Sequence, residues 1–118
     1  MKTISIRPFI GAANFSQSRE FYTRIGFEET ILAPDFSVFE FENLSFYLQD
    51  AFVKDWIDNS QIFLEVVDLK EFHMKLTELN LPIQFPGVRL SAIQIQPWGS
   101  ECFLHDPSGI LWHIGCFS

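Results

Sequence analysis

The chain has 118 residues with 8 Lys and Arg against 15 Asp and Glu, a net charge of −7. So few cations leave little with which to hold a phosphate backbone, which sets nucleic acid aside as a partner, and no apolar run approaches the roughly 20 residues a membrane span needs. Hydrophobic residues make up 47% and aromatics 16%, with 14 Phe, more apolar bulk than one small monomer hides, so a cavity or a subunit interface is expected.

At this length one domain over residues 1–118 is expected. The segment after Met1 carries one Lys and neither a long apolar region nor a small-residue cleavage site, which predicts a cytoplasmic protein. Cys102 and Cys116 flank the final turn at unequal distances, which predicts two buried free thiols.

Thr3 to Ile10 alternates Ile4, Ile6, Pro8 and Ile10 with Ser5, Arg7 and Phe9, the pattern of a strand with one oily and one mixed face. Pro8 cannot donate to a ladder, so the strand has a free side, a bend or an exchanged partner there. Asn14 or Ser16 caps a helix running to Ile25 through Phe15, Phe21 and Tyr22, and Gly26 ends it as a left-handed cap. Three short strands follow at about Phe27–Ala33, Ser37–Phe41 and Leu44–Gln49. Asp50 to Ser60 reads as a polar and aromatic connector in which Phe52 and Trp56 cover the rim of a cavity or a partner subunit.

From Gln61 the plan restarts. Gln61–Val67 predicts a strand, Asp68 a cap with Glu71 three residues on, and a helix then runs to about Leu79, where Asn80 and Pro82 stop it. Strands near Ile83–Phe85, Val88–Ile95, Glu101–Asp106 and Ile110–Phe117 complete a second β-α-β-β-β unit. The last two form a hairpin about Asp106-Pro107-Ser108-Gly109, because Pro sets φ at the first corner of a turn and Gly supplies a positive φ at its end.

The expected fold is therefore α+β, with two βαβββ modules at about residues 1–50 and 61–118 making an open cup. Helices would cover Ile4, Ile6 and Ile10, Phe46 and Leu48, Ile62, Leu64 and Val66, and Trp112 and Ile114. The opposite face carries Arg7, Phe9, Tyr47, Gln49, Gln61, Phe63, Glu65, Leu111 and His113. Such a mixed face costs about 1–3 kcal/mol for each unpaired buried polar group unless it meets water or a ligand, so it is read as the lining of the cup.

Several residues admit two readings. His113 is either a hydrogen-bonded structural residue or a ligand contact, and Trp98, in a Pro-Trp-Gly corner, is either a loop anchor or an aromatic wall. Glu65 is a general base or, more cheaply, the ion-pair partner of Arg7. Trp112 reads as packing, Asp106, Pro107 and Gly109 as turn formers without chemistry, and His73 and His105 as exposed.

The opening with Ser18, Phe21-Tyr22 and Ile25-Gly26-Phe27, the stretch Gln61-Ile62-Phe63-Leu64-Glu65-Val66-Val67-Asp68, and the closing Asp106-Pro107-Ser108-Gly109 together resemble the vicinal oxygen chelate superfamily. That superfamily includes glyoxalase I, extradiol dioxygenases, fosfomycin-resistance enzymes and bleomycin-resistance proteins. Gln96-Pro97-Trp98-Gly99 followed by Phe103, Asp106-Pro107, Gly109 and His113 is most similar to the bleomycin-resistance group, which binds its drug without metal or chemistry. Metal-using members place His, Glu or Gln at four inner positions, and matched by motif those are Arg7, Tyr47, Gln61 and His113 here. Arg has no lone pair to give, Tyr is neutral at pH 7 and an amide oxygen is a weak donor, so the resemblance implies a site without metal or other cofactor.

The leading expectation is a homodimeric small-molecule-binding protein, with sequestration of the ligand as the outcome of binding. Phe9, Tyr47, Phe63 and Trp98 would stack, while Arg7, Gln61, Glu65 and His113 orient polar groups. A metal-independent lyase, isomerase or hydrolase using His113 or Glu65 is the alternative, and a module whose Phe-rich surface meets another protein is a third reading.

Overall fold

The computed structural model describes residues 1–118. In chain order the elements are β1 (Phe9–Gly11), α1 (Phe15–Ile25), β2 (Glu28–Ala33), β3 (Phe36–Phe41), β4 (Leu44–Gln49), α2 (Lys54–Asp58), β5 (Gln61–Glu65), α3 (Leu69–Glu78), α4 (Leu81–Gln84), β6 (Arg89–Leu90), β7 (Gln94–Gln96), β8 (Gly99–His105) and β9 (Leu111–Phe117). They make two sheets, one ordered β1-β4-β3-β2 and the other β5-β9-β8-β6, with β7 also pairing β8. In each, the first strand runs parallel to the last and the remaining pairs are antiparallel. The same βαβββ plan is thus drawn twice, and the fold is α+β as expected.

Local chemistry explains the helix ends. The Asn14 side chain accepts from the Gln17 amide at 3.0 Å and caps α1, and Gly26 closes it at φ 128°. Asp68 accepts from the Glu71 amide at 3.1 Å and caps α3 in the same way.

Four sequence expectations are corrected. The first strand is not Thr3–Ile10 but only Phe9–Gly11: the Tyr47 amide bonds Pro8 O, and before Pro8 the chain has no ladder, leaving Ile4 and Ile6 99% and 94% exposed rather than covered by helices. Ile83–Phe85 is not a strand, because Pro82 sits in the first turn of α4, where its missing N–H costs nothing, and Leu81 rather than Ile83 turns into the core. Val88–Ile95 is broken into β6 and β7, since Ser91 takes over the pairing with Phe103 through both its backbone and its hydroxyl. The Asp50–Ser60 connector contains α2, whose Ile57 is buried while Phe52 and Trp56 stay exposed.

One core of 19 buried hydrophobic residues runs through both modules, from Ile10 and Leu48 in the first to Leu104 and Ile114 in the second. At its centre the Tyr22 ring meets Phe46 at 4.9 Å and Trp112 at 5.8 Å. Trp112 and Ile114 therefore lie under the helices, and their strand neighbours Leu111 and His113 are turned to the opposite face.

Candidate functional site

The residues expected to line one cup fall into two groups, one on each sheet. On the first, register places Phe9 beside Tyr47 across β1 and β4, and Arg7 reaches along the same face. Its Nε donates to Ser45 Oγ at 2.8 Å, its Nη1 donates to Tyr47 Oη at 3.2 Å, and its guanidinium carbon lies 5.6 Å from the Tyr47 ring centre. Phe36, on β3, completes an aromatic shelf with ring centres 6.0 Å from Phe9 and 5.0 Å from Tyr47. Arg7 forms no ion pair with Glu65, which corrects the cheaper reading of both residues.

On the second sheet, β5, β9 and β8 set Phe63 beside His113 and His113 beside Phe103. Nε2 of His113 lies 2.9 Å from Gln61 Oε1, and Nδ1 lies 3.0 Å from Oε1 of Glu101. The other carboxylate oxygen of Glu101 accepts from Gln96 Nε2 at 3.1 Å. Phe63 meets Trp98 at 5.7 Å, and Trp98 meets Phe117 at 5.0 Å, so Trp98 packs on the second sheet as part of an aromatic shelf, an arrangement that suits both the loop anchor and the aromatic wall. Gly115 makes room for that shelf, since a Cβ there would stand 2.6 Å from Phe63 Cζ.

Arg7 with Tyr47 and Gln61 with His113 are thus brought together as pairs, but no hydrogen bond, ion pair or ring contact joins one pair to the other within the chain. At the seam between β4 and β5 a cleft of about 480 Å³ takes Ser45, Phe63 and Glu65 from the two faces, while the core-side residues Phe46, Ile62 and Trp112 and the segment before β1 line much of the rest. A larger hollow of about 690 Å³ lies against α1 with a polar lining from Ser16 to Gln84 and touches neither shelf. The seam cleft holds none of Arg7, Tyr47, Gln61, Trp98 and His113, so the two shelves, with exposed rings beside polar groups, are the candidate ligand surface.

Residues missed in the sequence are Glu101, Ser45, Phe36 and Phe117. Strand alternation carried across the hairpin could have found Glu101, because Phe103 pairs with His113 and Glu101 with Gly115 on the same face. His105 shares that face and is half-buried rather than exposed; burial, then the positive charge of Arg89, hold its imidazole below the usual value. His73 is also half-buried, with Nε2 2.8 Å from Ser91 O, and it ties α3 to the sheet edge.

Arg7, Tyr47, Gln61 and His113, the positions the sequence resemblance assigned to metal, carry a guanidinium engaged by Ser45 and Tyr47, a phenol, a carboxamide and one imidazole. No three His, Cys, Asp or Glu side chains gather anywhere in a metal-holding group. This donor set does not fit a resident divalent ion. Cys102 and Cys116 are unpaired, the first buried and the second half-buried, and burial followed by the charge of Glu101 pushes the Cys102 thiol up to about 11.

No protein family's sequence pattern matches the chain, and no curated protein matches it by sequence. Solved structures do match. A bleomycin-binding protein complexed with bleomycin superposes at TM-score 0.82 with 22% identity over 98% of this chain and all of that one. The bleomycin-binding protein from bleomycin-producing Streptomyces verticillus, complexed with copper(II)-bleomycin, gives 0.81 with 18% identity over 100% and 99%. A lactoylglutathione lyase from Agrobacterium tumefaciens gives 0.70 with 14% identity over 98% and 96%. The chain has the fold these binding proteins and this enzyme share. No helix is long and apolar enough to cross a membrane.

Proposed function

We propose that the protein binds a small molecule between its two aromatic shelves, without a metal and without turning the molecule over. The observation that carries this reading is the exposure of Phe9 and Phe63 on sheet faces, the first beside the hydrogen-bonded Tyr47 and the second beside the hydrogen-bonded His113, with the exposed Phe117 extending the second shelf. Exposed rings next to oriented donors and acceptors are what a ligand needs for area and direction. The bleomycin-binding proteins of the same fold support the ligand class, a drug-sized molecule with planar and polar parts. Sequestration of such a compound would be the outcome.

A homodimer completes this account. The chain leaves β1 as an edge and Ile4 and Ile6 bare, so a second copy that accepts the segment before Pro8 would cover them and bring an Arg7–Tyr47 face against a Gln61–His113 face. Sedimentation tests it, with a dimer mass expected and a monomer at micromolar concentration contradicting it. A cytoplasmic location agrees with the unpaired thiols.

The competing reading is a metal-independent lyase, isomerase or hydrolase. It is favoured by the contact of His113 with Glu101, whereas Glu65, the other candidate base, has no bond to His113. His113→Ala separates the two. A binder loses affinity by a modest factor and has no turnover to lose, while an enzyme loses rate by about 100-fold or more.

A further inference from the structure

Glu101 is only 8% exposed, and no Lys or Arg forms an ion pair with it. A carboxylate in such a place costs stability unless hydrogen bonds compensate, and a neutral residue would fill the same strand position at less cost. Its two oxygens meet two donors, Gln96 Nε2 at 3.1 Å and the Nδ1 side of His113 at 3.0 Å. An ionised carboxylate only accepts, so the contact with His113 requires the proton on Nδ1. On the neutral ring that leaves Nε2 bare, and Nε2 is the nitrogen turned toward Gln61, whose side chain is exposed on the open face.

We infer that Glu101 is a positioning residue that holds His113 as the Nδ1–H form, so that Nε2 accepts a ligand's ammonium or amide N–H in place of the Gln61 carboxamide. This rests on the reading of the face as a binding surface and names the chemistry it selects. Gln61 is placed with Oε1 against Nε2, but the two ends of a carboxamide are interchangeable in placement, and turned over it sets its N–H end on the bare Nε2. Gln61 therefore keeps the acceptor satisfied until a ligand arrives. The rest of the face agrees: Glu65 is a carboxylate without an ion-pair partner beside Phe63, and the whole chain carries −7. Arg89, the cation on this sheet, stands at the far end beside His105, and the Arg7 that a second copy would set opposite is already engaged by Ser45 and Tyr47.

Long-range 1H–15N spectra of the full chain labelled at histidine test the positioning directly. On the neutral ring, the proton is expected on Nδ1 in the wild type and in Glu101→Gln, whose carboxamide oxygen keeps an acceptor in place. It is expected to move to Nε2 in Glu101→Leu. A wild-type ring with its proton on Nε2 overturns the proposal, and because that reading needs no variant, a Glu101→Leu protein that fails to fold does not remove the test. Benzylammonium and benzoate then probe the recognition. Benzylammonium is expected to shift the His113 Nε2 and Gln61 side-chain signals saturably, with benzoate leaving them in place. The reverse preference overturns the N–H assignment, and silence from both with an Nδ1–H ring overturns the reading of this face as a binding surface.

Discussion

The hydroxyl of Tyr22 donates to Oδ2 of Asp106 at 2.6 Å, tying α1 of the first module to the turn that closes the second. Asp106 is wholly buried, and its Oδ1 accepts from the amides of Ser108, Gly109 and Ile110 at 2.9 Å each. Burial raises its carboxyl above the usual aspartate value, although these bonds and the one from Tyr22 pull it back. Trp112 Nε1 donates to the same hydroxyl at 3.0 Å. Tyr22→Phe therefore strands a donor and an acceptor in the core. Each such group costs about 1–3 kcal/mol, so the urea midpoint should fall clearly, and an unchanged midpoint would show that the network does not join the modules.

Acid should weaken the other polar cluster. Burial pushes the Glu29 carboxyl up, but the bonds from Arg19 at 2.6 and 3.0 Å and from Ser37 at 2.7 Å outweigh it, and the net value lies below the ordinary 4.5. A depressed carboxyl adds stability that is fully present above its unfolded value and is lost as pH falls through its folded value. Glu29→Gln should therefore flatten the acid limb of the midpoint against pH. An acid limb as steep as in the wild type would assign the loss to other groups.

The closeness of Gly115 to Phe63 gives a test confined to the second shelf. Gly115→Ala places a methyl 2.6 Å from Phe63 Cζ and 3.2 Å from the Ser100 carbonyl of β8, so the ring must shift from its place beside Trp98. An aromatic pair contributes about 0.5–1.5 kcal/mol, which corresponds to a loss of roughly 2- to 13-fold in ligand affinity with little effect on α1 or the core. Unchanged affinity would remove Phe63 from the contact surface.

How far the sequence could be read follows from which forces act locally. The caps at Asn14 and Asp68, the stop at Gly26 and the faces of Trp112 and His113 are settled within a few residues, and each was legible. The segment before Pro8 was not, because alternation in Thr3–Arg7 marks a strand without saying whose sheet it joins. Nor was the turn of Leu81–Gln84 into helix, where Pro82 acts as a starter and not a stop. At the site, Tyr47, Gln61 and His113 could be assigned to one side of their strands and to their modules, but Arg7 lies before β1 and reaches Tyr47 outside any ladder, and how the modules pack through Tyr22 and Trp112 depends on contacts distant in sequence. Glu101 escaped because it carries no motif; only its register opposite Gly115 brings it to His113.

The donor set at the four chelate positions should keep metal weak. Titration with zinc, nickel or manganese is expected to show no stoichiometric binding tighter than micromolar, since His113 already meets Glu101 and Gln61 while Arg7 remains cationic. A bound ion touching His113 and two further protein ligands would contradict this.

The most direct measurement follows the three indole N–H signals in 1H–15N spectra during titration with a panel of small molecules, bleomycin and thiol adducts of methylglyoxal among them. Trp98 stands in the shelf with Phe63 and Phe117, Trp112 is buried on the core side of β9 where it borders the seam cleft, and Trp56 lies exposed on α2. The account expects at least one compound to shift the Trp98 signal saturably while that of Trp112 holds still, with no loss of the compound over time. A panel that leaves Trp98 unmoved, or a compound that is consumed, would contradict it.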